Sequence, residues 1–161
     1  MKKIWAPWRL EYVKSTNDGG CFLCGITESD EDRENLLLKR GHACGVVMNR
    51  YPYNNGHLMV YPYRHKGELS ELTEGERLEL MNLTGECVTA LRTAIAPDGF
   101  NVGINLGRVA GAGLEQHIHI HIVPRWNGDT NFMPVFAEVK VIPQALLDLY
   151  DQLRPIFDEL G

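Results

Sequence analysis

The stretch His-Ile-His-Ile-His-Ile-Val at residues 117–123 alternates imidazole rings with branched aliphatic side chains. Successive side chains of an extended strand point to opposite faces, so His117, His119 and His121 are predicted to share one face. The isoleucines of the other face suit a sheet packed on a core. Because imidazoles titrate near neutral pH, the row predicts a site that handles phosphate, metal or protons. A solvent-facing strand that is merely rich in histidine is the alternative.

His119, at the centre of the row, is the candidate nucleophile. A neutral imidazole can attack phosphorus and form a covalent intermediate, provided that its other ring nitrogen is held by a hydrogen-bond acceptor. His121, on the same face, could bind the phosphate or a bridging oxygen and stabilise the leaving group. An ordinary sheet histidine is the structural alternative for His119.

A glycine-rich segment, residues 107–113, leads into the histidine row. Glycines let the main chain approach an anion closely, so the amides of Gly111, Ala112 and Gly113 are candidates for phosphate binding. A plain turn is the alternative. The segment is not a dinucleotide-binding fingerprint, because a strand follows it where that motif requires a helix.

Cys21 and Cys24 have the Cys-x-x-Cys spacing of metal ligands. A tetrahedral site needs two further ligands, for which imidazole is the usual partner. Spacing alone leaves four histidines available, namely His42, His57, His65 and His117. A redox pair and two packed thiols are the alternatives. The isolated Cys44 and Cys87 are predicted to be small core residues.

Bulk composition predicts one compact domain over residues 1–161, which are 44% hydrophobic and contain no internal repeat. The net charge of −5 and the lack of a basic stripe argue against a protein that coats nucleic acid. The N-terminus has no apolar signal-peptide core, and no apolar run approaches the roughly 20 residues of a membrane span. A cytoplasmic protein with reduced cysteines and no membrane partner is therefore expected.

Hydrophobic patterning predicts an α+β fold in which an antiparallel sheet of about five strands carries a central and a C-terminal helix. The strands are expected near residues 36–40, 43–49, 57–62, 100–106 and 117–123, joined mostly as a meander. The capping box at Thr73 begins the central helix, and Pro97 ends it. An irregular N-terminal arm is expected over 1–20, and a C-terminal helix lies within 143–161. The apolar residues expected to be buried in that helix are Leu146, Leu147, Leu149, Leu153, Ile156 and Phe157.

The row at 117–123 resembles the signature of the histidine-triad (HIT) nucleotide-binding family, in which three histidines alternate with apolar residues. The block from Asn49 to Gly56-His57-Leu-Met-Val60-Tyr-Pro62 is similar to an upstream motif of that family. Three further segments resemble its bacterial diadenosine tetraphosphate phosphorylase branch: Trp5-Ala-Pro-Trp-Arg9, Pro52-Tyr-Asn-Asn-Gly-His57 and Pro124-Arg-Trp126 with Asn131-Phe132.

The resemblance implies a homodimeric enzyme of HIT-like fold that cleaves dinucleoside polyphosphates at the α-phosphate of an adenosine nucleotide. By this likeness His119 forms a nucleotidyl-histidine, His121 binds the scissile region and His57 supports the triad. Asn105 would hold phosphate or orient the site, and Asn49 would contact the ribose hydroxyls. An adenosine phosphoramidase and a non-catalytic purine-nucleotide sensor are the alternatives.

The same resemblance implies a structural zinc ion held by Cys21, Cys24, His65 and His117, and no organic cofactor. One feature departs from the family pattern. Relatives often carry a Ser or Thr shortly before the triad that bonds the phosphate, whereas residues 111–116 contain no hydroxyl. The amides of Ala112 or Gly113 are the expected substitutes.

Overall fold

The structure is a computed structural model and describes residues 20–129, 142 and 144–160. Within these residues, three α-helices and five strands form the fold. They are, in chain order, α1 (Phe22–Glu28), β1 (Leu37–Arg40), β2 (Cys44–Met48), β3 (Leu58–Pro62), α2 (Glu74–Ile95), β4 (Gly99–Ile104), β5 (Ile120–Arg125) and α3 (Leu146–Leu160). Short 3₁₀ turns occur at Leu69–Glu71 and Arg108–Ala110.

The five strands form one antiparallel sheet in the order β1-β2-β3-β5-β4. The predicted antiparallel α+β arrangement is therefore confirmed. The predicted meander holds only for β1 to β3. The 22-residue helix α2 is long enough, at about 33 Å, to carry the chain across the sheet to its far edge. There β4 forms, and β5 returns to fill the space between β3 and β4.

The two faces of the sheet have different cores. Ile118, Ile120 and Ile122 pack into the main cluster with the buried sides of α2 and α3. On the opposite face Leu23 of α1 packs against a smaller cluster from the central strands. The alternation of residues 117–123 accounts for this division, because the isoleucines face α2 and leave the histidines to the other side.

The histidine row enters the sheet later than predicted, because β5 begins at Ile120 rather than at residue 117. Two contacts hold the preceding residues outside the hydrogen-bonding pattern of the sheet. The amide of Ile118 donates to the carbonyl of Lys66 at 2.6 Å, and the His117 ring bonds the carbonyl of Pro62 at 2.7 Å. His117 and His119 are therefore held by loop contacts, whereas His121 lies in the strand.

The C-terminal helix α3 covers the sheet edge formed by β1. Tyr150 donates its hydroxyl to the carbonyl of Leu37 at 3.0 Å, and Arg154 donates to the carbonyl of Leu38 at 2.7 Å. Leu149, Leu153 and Phe157 are buried as predicted, and the expected burial of Leu147 is wrong because that side chain is 42% exposed. None of the helices in the described residues is long and apolar enough to cross a membrane.

Helix α2 begins as the sequence predicts. The hydroxyl of Thr73 accepts a hydrogen bond from the amide of Glu76, and the Glu76 carboxylate accepts one from the amide of Thr73. The same carboxylate pairs with Arg64 at 2.6 Å, which holds the pKa of Glu76 down at about 2. The helix ends at Ile95, and its C-cap Ala96 lies immediately before Pro97, in agreement with the predicted stop.

Ala96 has a left-handed conformation, with φ 44° and ψ 57°, where glycine is the preferred residue. Because Ala96 is exposed and its strain comes from Cβ, Ala96→Gly is expected to raise the free energy of unfolding by about 1 kcal/mol. Ala94→Gly, in the last turn of the same helix, should lower it by a similar amount. Urea unfolding of both variants measures the effect, and an unchanged or lower stability of Ala96→Gly would contradict the expectation.

The predicted N-terminal arm lies, apart from Gly20, outside the described residues, as do residues 130–141. The organisation of residues 1–161 as a single domain stays a prediction. The two isolated cysteines are confirmed as core residues, since Cys44 and Cys87 are fully buried.

Candidate active site

Three buried histidine rings meet on the face of the sheet opposite α2. His121 lies on β5, and its register partner Met59 lies on β3. His57 immediately precedes β3, and its ring centroid is 5.1 Å from that of His121. The ring of His119 lies 4.7 Å from that of His121. The pairing of β3 with β5 thus brings together residues that are more than 60 positions apart in the chain.

Hydrogen bonds assign the tautomers of His57 and His121. The backbone amide of Tyr53 donates to Nδ1 of His57 at 3.0 Å, so the proton of the His57 ring is on Nε2. That Nε2–H donates to Nδ1 of His121 at 2.9 Å. His121 therefore carries its own proton on Nε2 and presents an N–H donor. The role of the Tyr53 amide was not predicted, and no side-chain pattern in the sequence signals it.

In His119 the positions of the ring proton and the lone pair are reversed. Its Nδ1 lies 2.9 Å from the carbonyl oxygen of His117, which can only accept, so Nδ1 carries the proton. Nε2 is then left with a lone pair. Burial lowers the pKa of His119 below its ordinary value of 6.5, and the bond to the His117 carbonyl opposes this shift only in part. At neutral pH the ring is uncharged and can act as a nucleophile.

Burial also lowers the pKa of His121 from 6.5 to about 4, with a smaller contribution from His119. The unfolded chain then binds more protons than the folded one between these two pH values. His121 thus contributes its full stabilisation above about pH 6.5, and the contribution is lost as the pH falls towards 4. The shift corresponds to about 3 kcal/mol.

We therefore expect the free energy of unfolding to fall as the pH is lowered from 7 to 4.5, and the fall to be smaller in His121→Asn. Urea unfolding at a series of pH values measures the free energy of unfolding of each protein. The contributions of the other titrating groups cancel when the value for the variant is subtracted from that for the parent protein. Equal slopes for the two proteins would show that His121 is not the titrating group.

The glycine-rich loop beside the triad uses two of its candidate amides internally. The amide of Gly111 donates to the carbonyl of Arg108 at 3.0 Å, and that of Ala112 donates to the carbonyl of Gly107 at 3.3 Å. These two amides are therefore engaged in this conformation. Within the described part of the chain, the amide of Gly113 has no acceptor, so it is the predicted phosphate donor that remains available.

The two predicted asparagines lie on either side of the triad. Asn49 donates to Nδ1 of His57 at 3.3 Å and accepts from the amide of Tyr51 at 2.9 Å, so its carboxamide supports the turn before β3. Asn105 follows β4, and its Nδ2 is 3.5 Å from the carbonyl of Gly111. The ribose role of Asn49 and the phosphate role of Asn105 stay predictions.

Cys21, Cys24, His65 and His117 form a group that could hold a metal ion, with ligand atoms all within 4.8 Å of one another. Nδ1 of His117 is 3.2 Å from the sulfur of Cys21 and 3.6 Å from that of Cys24, and Nδ1 of His65 is 3.4 Å from Cys24. Tetrahedral zinc, with Zn–S of about 2.3 Å and Zn–N of about 2.0 Å, would hold sulfur and nitrogen about 3.5 Å apart.

The chemistry of this group also fits a cation. The Nε2–H of His117 donates to the carbonyl of Pro62, which leaves Nδ1 unprotonated toward the sulfurs, as metal coordination requires. The pKa of Cys24 is raised to about 11, mainly by burial and to a smaller extent by the neighbouring Cys21. The Cys24 thiolate therefore needs a positive charge beside it to form at neutral pH. The start of α1, the segment after β3 and the histidine row are brought together here by tertiary contacts.

The HIT domain family matches residues 31–128, which is more than half of the chain. The chain is 42% identical over 156 residues to the AP-4-A phosphorylase of Mycobacterium tuberculosis (strain ATCC 25618 / H37Rv), covering 92% of this chain and 80% of that protein. A hypothetical histidine triad nucleotide-binding protein from Sulfolobus tokodaii strain7 superposes with a TM-score of 0.69 at 25% identity, covering 87% of this chain and 93% of that one.

A zinc-bound histidine triad family protein from Mycobacterium smegmatis has the same fold, with a TM-score of 0.68 at 22% identity over 88% of this chain and 95% of that one. The histidine row, the sheet that carries it and these likenesses agree. The chain belongs to the HIT domain family.

Proposed function

We propose that the protein is a nucleotidyltransferase that cleaves dinucleoside polyphosphates of the diadenosine tetraphosphate type through a nucleotidyl-His119 intermediate. The observation that carries this proposal is the pair of opposed tautomers at the triad. An unprotonated Nε2 on His119 can attack phosphorus, and a protonated Nε2 on His121 can receive the oxygen that leaves. The 42% identity to an AP-4-A phosphorylase supports the choice of substrate.

In the first step the lone pair of His119 Nε2 forms an N–P bond to the α-phosphorus. The bond from that phosphorus to the bridging oxygen breaks, and the oxygen keeps its electron pair, stabilised by the N–H of His121. The imidazole becomes positively charged as the N–P bond forms. Because Nδ1–H of His119 donates to the His117 carbonyl, this charge is stabilised where it develops.

In the second step an oxygen of inorganic phosphate attacks the adenylyl group, the N–P bond breaks and His119 returns to its neutral form. With diadenosine tetraphosphate, ATP leaves in the first step and ADP is released in the second. Water in place of phosphate would release AMP. The asymmetric products therefore report which acceptor the enzyme uses.

The proposal is tested by incubating the protein with diadenosine tetraphosphate, with and without phosphate, and separating the nucleotides by chromatography. We expect equal amounts of ADP and ATP, and we expect ADP to depend on added phosphate. A protein that cleaves only adenosine 5′-phosphoramidate would be a phosphoramidase. Binding of AMP with no turnover of either substrate would indicate a nucleotide sensor.

We propose that zinc is the metal held by Cys21, Cys24, His65 and His117, because two sulfurs and two imidazole nitrogens are the donor set of a closed tetrahedral zinc site. A bound zinc ion would hold α1 against the histidine row and leave no coordination position for substrate. Free or metal-binding thiols are the cysteine use expected in a reducing compartment, which supports a cytoplasmic location.

We further propose that substrate is held by the Gly113 amide and Asn105 at the phosphates and by Asn49 at the ribose. Asn105 lines the same hollow as His121, and Gly113 lies four residues before the histidine row, so both can offer N–H donors to phosphate oxygens. The carboxamide of Asn49 would have to give up a contact in the turn to bind ribose hydroxyls.

We propose that the protein is a homodimer joined through β4, the sheet edge that α3 does not cover. Val102 on β4 is 48% exposed, and Leu106 and Val109 beyond it are exposed as well. Among the described strands β4 has a partner on one side only, so pairing with a second β4 would satisfy the backbone groups of its other side and bury these side chains. Sedimentation should show a dimer that Val102→Asp dissociates and that Leu147→Asp, on the exposed side of α3, does not. A monomeric parent protein would exclude the arrangement.

A further inference from the structure

We infer that the leaving nucleotide, rather than the transferred one, lies in a groove on the open face of β4 and β5 beside His121. This inference rests on the proposed function and specifies where the second half of the substrate binds. The groove is a hollow of about 210 Å³ to which Tyr53, Asn101, Gly103, Asn105 and His121 contribute.

The position of the groove relative to His121 identifies what it holds. The Nε2–H of His121 is the donor available to the leaving oxygen, and the groove begins at that ring. A group attached to the leaving oxygen must therefore extend over β4. The volume is below the roughly 300–1,000 Å³ that enclose a drug-sized ligand. The groove thus accommodates the part of the leaving nucleotide next to the broken bond, and the remainder extends beyond the hollow.

Gly103 forms the floor of this groove. It is the register partner of His121 on the neighbouring antiparallel strand, so a side chain at this position would project to the same face as the His121 ring. A Cβ built on Gly103 meets no atom within 4 Å. The packing of the protein therefore does not require glycine here, and its effect is to keep the space beside His121 open.

The walls of the groove offer neutral groups that suit a nucleotide. The Tyr53 ring is 46% exposed and stacks on His121 at 5.6 Å, so its outer part is accessible to a base. The carboxamide oxygen of Asn101 accepts from Arg125 at 2.8 Å, which turns the side chain's N–H donors to other partners. Asn105 supplies a second carboxamide at the other end. Carboxamide donors can bind phosphate and ribose oxygens without a charge of their own.

Two variants test the groove. Gly103→Val fills the floor, and Asn101→Asp keeps the acceptor for Arg125 but adds a negative charge next to the leaving phosphates. For each we measure the ratio of kcat/KM for diadenosine tetraphosphate to kcat/KM for adenosine 5′-phosphoramidate, whose leaving group is only ammonia. We expect this ratio to fall at least tenfold in both variants. Because the ratio compares two substrates on one protein, a general loss of folded enzyme cancels.

Gly99→Val is the matched control, since Gly99 lies on the same strand and face, pairs with Arg125 and also has no atom within 4 Å of a built Cβ. Its ratio should stay within twofold of the parent value. An unchanged ratio in Gly103→Val and Asn101→Asp would overturn the groove assignment. If Gly103→Val does not fold, Asn101→Asp decides. A parent protein that cleaves neither substrate would instead refute the proposed function.

Discussion

Replacing His119 with alanine is expected to lower kcat for diadenosine tetraphosphate by about 10³-fold or more, with release of both ADP and ATP lost together. The variant has no atom that can form the N–P bond, and the unprotonated nitrogen of His57 in the same cluster already accepts a hydrogen bond from the Tyr53 amide. His121 accepts at Nδ1 but uses that nitrogen for His57. The measurement is steady-state phosphorolysis with chromatographic separation of the products.

The fold should survive this change, because the hydrogen bond that holds the His119 ring is made to a backbone carbonyl, and the isoleucines that pack into the main core lie on the opposite face of the row. Thermal unfolding and AMP binding, followed by calorimetry, verify this point. His42→Ala is the matched control, since His42 is exposed and its contact with Glu79 is made by the backbone amide. Near-normal turnover by folded His119→Ala would assign the nucleophile to another group.

Loss of the metal group is expected to have the largest effect on stability. The purified protein should contain about one zinc ion per chain, and Cys21→Ser/Cys24→Ser should contain none. Structural zinc sites contribute on the order of 10 kcal/mol of binding free energy. If only about 3 kcal/mol of this supports the folded state, the unfolding midpoint falls by roughly 6–12 °C. Elemental analysis and differential scanning calorimetry measure the two quantities.

Cys87→Ala is the control for this experiment, because Cys87 lies on the buried face of α2 in the main core and does not belong to the metal group. It should lose some stability through its packing but retain the full zinc content. A parent protein without zinc would contradict the zinc assignment. A double serine variant that unfolds at the parent temperature would show that the group does not stabilise the fold.

Metal loss should also reduce turnover, since one residue belongs to both sites. The His117 ring faces the two sulfurs, and the carbonyl of the same residue holds the Nδ1–H of His119. A displaced His117 would therefore release the contact that assigns the tautomer of the nucleophile. The activity of the double serine variant, measured per folded molecule, should fall below that of Cys87→Ala.

Local patterns in the sequence were sufficient to predict much of the fold. The period-two alternation of residues 117–123 predicted that isoleucines and histidines would separate onto two faces, and the isoleucines do lie in the core beneath α2. The capping box at Thr73 and the stop before Pro97 marked both ends of α2. These signals succeed because each depends on hydrogen bonds or sterics within a few residues.

Predictions failed where distant contacts compete with local ones. The start of β5 moved to Ile120 because Lys66 and Pro62 bind the preceding residues, and β5 entered the sheet between β3 and β4 instead of extending a meander. Neither outcome has a counterpart in residue spacing.

The sequence by itself determined which groups are available for chemistry. They are three histidines that alternate with isoleucines, a pair of cysteines at ligand spacing and a glycine-rich loop that can approach an anion. Only the tertiary structure decided the state in which these groups are held. The proton of His121 is positioned by the amide of Tyr53 acting through His57, and that of His119 by a backbone carbonyl. Tautomers depend on hydrogen-bond partners brought together by strand pairing, so their assignment requires the folded chain.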